Sequence, residues 1–208
     1  MRYLKMLGLA AVAAAALTAF VGAGTAPANT VLCHTTVTTG CASAGWDWSV
    51  GAELDLSLKA GTTARTIDTS GFVTLGTCTK GSINGTLSTT TTPTITLEPA
   101  ETWPTCYPTI TGGEISIHHI AGTHNGTVVA KGFGWTMTFP QKSCVFGFAA
   151  ERDIGTLVPS ANGEDAQLNM NVAADLIPKH SYEGCPSSIK WIATFTQTSS
   201  APLHVTES

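Results

Sequence analysis

The densest group of side chains able to hold a proton or a metal is His118, His119 and His124, three histidines within seven positions. Neutral imidazole nitrogens ligate first-row metals and act as bases near neutral pH. Either task needs nitrogens converging on one point. The segment leading to them alternates polar Glu114 and Ser116 with apolar Ile115 and Ile117 and reads as a strand, on which adjacent residues face opposite sides. His118 therefore joins Glu114 and Ser116, and His119 joins the isoleucines. One metal cannot take both rings, which leaves His118 with His124, across the turn from Ala121 to Gly126, as the metal-ligating candidate. The pair is a weak candidate: exposed polar residues beside a loop are the favoured reading, and no metal is assigned.

Paired carboxylates offer acid and base chemistry, and Glu53 and Asp55, two apart on a strand, do share a face. They continue a polar face through Ser57 and Lys59, opposite Leu54, Leu56 and Leu58, which is the pattern of a solvated surface. Glu151, Asp153, Glu164 and Asp165 sit among glycine and alanine as loop charges. No nucleophile elbow, His-Glu-x-x-His, phosphate loop, dinucleotide fingerprint or aspartate-rich calcium loop occurs in the chain. No catalytic residue and no cofactor are assigned, and only a triad built from distant residues would make an enzyme.

Aromatic residues supply the candidate ligand-binding group. Trp46 and Trp48 share one strand face with Asp47 opposite, and Trp103 and Tyr107 bracket Cys106. Exposed coplanar rings stack on sugar faces, and a carboxylate nearby hydrogen-bonds hydroxyls. The competing role is packing between sheets, where tryptophans of disulfide-linked sandwiches sit.

Six cysteines, Cys33, Cys41, Cys78, Cys106, Cys144 and Cys185, allow 15 pairings. Sequential pairing is expected: Cys33 with Cys41, Cys78 with Cys106, and Cys144 with Cys185. On the chain-entropy account such loops stabilise by about 2.5 to 4 kcal/mol each. Cys144 alternates onto the face of Phe146 and Phe148, so its sulfur points inward. No cysteine pair has the short gap that zinc ligands use.

All six lie beyond residues 1–28, which read as a signal peptide. Arg2 and Lys5 form its positive end, Met6 to Val21 its apolar run, and Ala26-Pro27-Ala28 its small-residue cleavage site. Cleavage would leave Asn29 first. An uncleaved anchor is the alternative, the run being near the lower length limit for a span. A lipid on Cys33 is disfavoured because Leu32 precedes it. Removing the leader takes the 10 basic residues to 8 against 14 acidic ones, and the net charge from -4 to -6. The remaining cations are scattered singly, which excludes the positive stripe that nucleic acid or an anionic membrane surface would require.

These side chains must be carried by strands. Leu54, Leu56 and Leu58 alternate with polar residues, as do Trp135, Met137 and Phe139, then Leu168, Met170 and Val172, then Trp191, Ala193 and Phe195. Threonine dominates the other face, where β-branching suits a pleated, solvated surface. Gly71, Gly76, Gly81, Gly112-Gly113, Gly132 and Gly134, with Asn84-Gly85 and Asn125-Gly126, mark hairpin turns or kinks within strands. The expected fold is all-β, an antiparallel β-sandwich or closed barrel stapled by three disulfides, with residues 29–208 as a single domain. The weakest join is Ser88 to Thr92.

The leader, the start Thr30-Val31-Leu32-Cys33, and the close through Cys185-Pro186, Trp191, Ala193, Thr194 and Pro202-Leu203 resemble a family of small secreted bacterial six-cysteine proteins. That family has no assigned activity, so the resemblance implies a scaffold and no catalytic residues. The expectation is a secreted, disulfide-stabilised, non-catalytic β domain with a surface, adhesion or binding role. A polysaccharide or cell-surface ligand is the partner class it suits. The alternatives are a carbohydrate-binding module using Trp46 and Trp48, and a small secreted hydrolase with a scattered site.

Overall fold

The structure, a computed structural model, describes residues 29–35, 41, 45–99, 108–110, 112–139, 142–161 and 164–207. The leader, Trp103, Cys106 and Tyr107 lie outside the described residues.

Among the described residues the chain forms fifteen strands and no α-helix. In chain order they are β1 (Thr30–Cys33), β2 (Glu53–Leu58), β3 (Ala64–Asp68), β4 (Thr74–Cys78), β5 (Ser82–Thr89), β6 (Thr94–Leu97), β7 (Pro108–Ile110) and β8 (Gly113–His119). They continue with β9 (Gly126–Lys131), β10 (Phe133–Phe139), β11 (Lys142–Phe148), β12 (Arg152–Val158), β13 (Gln167–Leu176), β14 (Ser188–Gln197) and β15 (His204–Glu207). The two-residue period in the sequence is the reason: in β13, Leu168, Met170, Val172 and Ala174 are buried while Asn169, Asn171, Ala173 and Asp175 face solvent. In β14, Ile189, Trp191, Ala193, Phe195 and Gln197 are buried in the same way.

β13 and β14 are ten residues each and pair antiparallel from Gln167–Thr196 to Asp175–Ser188. This long ribbon is where the sheet forks. On one half, β13 pairs with β12 and β14 pairs with β2, and the eight strands β14, β2, β5, β6, β8, β9, β12 and β13 close into a ring. On the other half, β14 continues into β3 and β4, and β13 into β11, β10 and β7. The closed barrel is thus one part of a larger sheet. Neither a sandwich nor a barrel alone covers all of it.

The barrel interior is filled by side chains such as Leu56, Ile83, Leu87, Ile95, Ile117 and Leu168. Its outward positions carry Glu53, Asn84, Glu114, His118 and Asn169, the reverse of a barrel whose outside meets lipid. No helix among the described residues is long and apolar enough to cross a membrane. The second lobe packs aromatics: Trp191 lies 5.2 Å from Trp135 and stacks on Phe133 at 6.1 Å. Its two flanks meet, since a Cβ on Gly76 of β4 would come within 3.1 Å of Met137 Cε on β10.

Asn84-Gly85 is no turn. It lies inside β5, where a Cβ on Gly85 would stand 2.6 Å from Ile95 Cγ2 and 2.7 Å from the Thr96 carbonyl oxygen, so glycine permits tight curvature there. Ser88 to Thr92 spans the end of β5 and its turn into β6, and the two strands pair there with a register shift between Leu87 and Thr89.

Two disulfides, not three, are seen among the described residues: Cys33–Cys41 and Cys144–Cys185, both as expected. Cys78 is disulfide-bonded as well, but Cys106, its expected partner, lies outside the described residues. Disulfides of this kind belong to oxidising compartments. Cys33–Cys41 staples the terminal ribbon, in which β1 and β15 pair as a separate two-stranded sheet. Leu32 and Val205 on one face of that ribbon join the main core, and Val31 and Cys33 on the other pack with Cys41.

Candidate functional site

The histidines come together differently from the sequence expectation. β8 runs to the barrel end, and alternation places His118 outward and exposed, as expected. His119, on the face of Ile115 and Ile117, passes the last core layer and meets the terminal ribbon. Its Nδ1 lies 3.3 Å from Glu207 Oε1, its Nε2 lies 2.6 Å from the Thr123 carbonyl oxygen, and its backbone N–H donates to Thr30 Oγ1 at 2.7 Å. Both ring nitrogens therefore face acceptors. His119 and His124, with Gly122, Thr123, Thr206 and Glu207, line a shallow recess of about 240 Å³. His118, the other member of the weak His118–His124 candidate, is exposed on the outer face of β8 and does not line that recess. Among the described residues no group of three or more histidine, cysteine, aspartate or glutamate side chains is placed to hold a metal ion.

Sequence reasoning missed His204. It sits on β15 opposite Cys33, 7% exposed, and its Nδ1 has no hydrogen-bond partner among the described residues. Burial, and secondarily the like charge of His124, hold its pKa below the usual histidine value of 6.5. Nothing local distinguishes His204 in sequence, since its burial comes from β1, more than 150 residues away.

Trp46 and Trp48 do not form a shared exposed platform. Trp48 is 4% exposed and belongs to the core; its indole N–H donates to the Pro202 carbonyl oxygen at 3.3 Å, and His34 packs on it at 5.1 Å. Trp46 is 50% exposed. The two rings lie on an irregular segment beside β1, where the backbone bridges Asp47 to Cys33, and only the Trp48 ring is buried. Glu53 is exposed and Asp55 half-buried on the outer face of β2, in register with Thr86 and Asn84. That is the solvated-surface arrangement.

The most exposed large apolar side chain among the described residues is Phe72, at 91%, followed in the chain by Val73 at 52%. Both stand on the connection between β3 and β4, and the connection is locked. The Asp68 carboxylate accepts from the Ser70 hydroxyl and, at 2.9 Å, from the Val73 N–H. Ser70 Oγ accepts from the Phe72 N–H, and the Gly71 N–H donates to the Asp68 carbonyl. Gly71, with φ at 82°, takes the left-handed turn that a residue bearing a Cβ resists. These bonds, led by the one from Ser70, hold the Asp68 carboxyl below its usual value. The sequence signal was present: Asp-Thr-Ser-Gly is a turn, and two apolar residues directly after it are out of place in a solvated loop.

Comparison with known proteins finds no matching family model, no matching curated protein and no matching solved structure.

Proposed function

We propose that this is a secreted, disulfide-stabilised β domain that acts without a reaction centre, by binding at a surface through the tip between β3 and β4. The leader pattern and the two disulfides support export. The observation that carries the binding reading is Phe72, presented to solvent on a loop whose side-chain and backbone bonds already fix it. A pre-ordered aromatic loses little entropy on docking, and a single such anchor dominates many interfaces. Tyr182, also exposed, stands in the loop before β14, whose first residue Ser188 hydrogen-bonds Thr69 beside the tip. A cell-surface or cell-wall ligand suits an exported chain of this kind.

The test is retention of purified mature protein on cell-wall and plant polysaccharides and on intact cells. Burying one phenylalanine contributes about 1.5 to 3 kcal/mol, so Phe72→Ser should weaken retention about tenfold or more with the melting temperature unchanged. Equal retention of wild type and Phe72→Ser rejects the assignment. A carbohydrate-binding role centred on Trp46 is the second reading, favoured by the half-exposed ring of that residue.

A further inference from the structure

We propose that the terminal ribbon of β1 and β15 is an acid-released cap on the barrel end, and that protonation of His204 opens it. The ribbon is the element least tied to the main sheet, since it pairs only with itself among the described strands. Its other attachments are local. Leu32 and Val205 rest on the core, Leu32 accepts from the N–H of buried Trp48, Asp47 bridges to Cys33, Thr30 accepts from the His119 N–H, Glu207 pairs with His119, and Leu203 exchanges backbone and side-chain bonds with Ser160.

His204 lies on the outer face of this ribbon with Val31, Cys33 and Thr206, all buried. A neutral imidazole there leaves one nitrogen unpaired. An imidazolium would bury a charge and present an N–H at Nδ1 that meets no acceptor among the described residues, which is a far larger penalty. Among the described residues, the groups around it offer no relief. From the β8–β9 turn comes His124, of the same sign when charged. Across β1 stands Cys33, locked in a disulfide, and beyond it Asp47, bridged to Cys33 on the strand's other edge. On β15 itself Glu207 projects to the opposite face and is engaged by His119 of β8.

The direction of the effect follows from linkage. The folded ribbon holds His204 below 6.5, so the open form binds the proton more readily, and stability falls as pH drops through about 6.5 toward the folded value. Release bares Leu32, Val205 and the barrel end beneath them.

The experiment is amide hydrogen exchange on the whole mature protein, comparing protection factors at about pH 7 and about pH 5. Amides of residues 30–33 and 204–207 should lose about tenfold or more in protection, while those of β13 and β14 keep theirs. His204→Phe should abolish most of that loss. Should that variant not fold, His124→Gln decides, because removing the like charge should shrink the loss. Parallel loss in ribbon and β13–β14 hairpin overturns the proposal. So does a pH dependence untouched by His204→Phe, or by His124→Gln where that variant decides.

Discussion

At Gly155 the fold accepts hydrogen and nothing larger. The residue sits at the register shift between β12 and β9, and a Cβ there would overlap the backbone carbonyl of Asn169 on β13, which cannot swing aside as a flexible side chain could. Gly155→Ala should therefore destabilise by about 3 kcal/mol, read as a lower denaturant midpoint with an unchanged slope. Asp68 makes a different prediction. Its folded pKa is below the ordinary value of 3.8, so the order that it imposes on the tip is fully present above that pH and is lost as pH falls through the lowered value. Exchange at the Val73 amide, which donates to that carboxylate, should accelerate only in this acid range. Exchange at Val73 already fast at neutral pH would show that the carboxylate does not order the tip. At this scale the strand faces of His118 and Glu53 were legible, because alternation is a property of neighbouring residues. His204 and Trp48 were not, because what buries them is distant chain.

Among the elements, the β13–β14 hairpin is shared by both lobes, and the terminal ribbon is a separate two-stranded sheet. The disulfides divide along the same line. Cys144–Cys185 closes a separation of 41 residues across β11 and the loop before β14, and Cys33–Cys41 closes 8 residues at the ribbon. Chain entropy assigns about 4 kcal/mol to the first and about 2.5 kcal/mol to the second. Paired serine substitutions at Cys144 and Cys185 should lower the melting temperature more than those at Cys33 and Cys41. The latter should mainly speed exchange at β1 and β15. The reverse order would mean that the ribbon, not the hairpin, limits global stability. Strand positions were readable from two-residue alternation, and both observed pairings were readable from sequential spacing. The glycine within β5 was ambiguous, since Asn-Gly serves equally for a turn and for a close approach, and only the neighbouring β6 backbone distinguishes them.

For the molecule as a whole, the decisive contacts join chain ends. β2 pairs with β14 and β1 with β15, so ring and cap both wait on the C-terminal residues. What the sequence by itself determined is local: strands with threonine outside and aliphatic residues inside, and the sequential pairings Cys33–Cys41 and Cys144–Cys185. Each follows from residues a few positions apart, where steric alternation and short loop closure act. Only the tertiary structure decided that eight strands close while the others fork away, that Trp48 is covered and Trp46 is not, and that His119 meets Glu207. Those outcomes depend on which of many similar β-edges pair across more than a hundred residues. Threonine-rich strands of near-equal periodicity carry no local label for their partners, so register is settled only when the whole core packs.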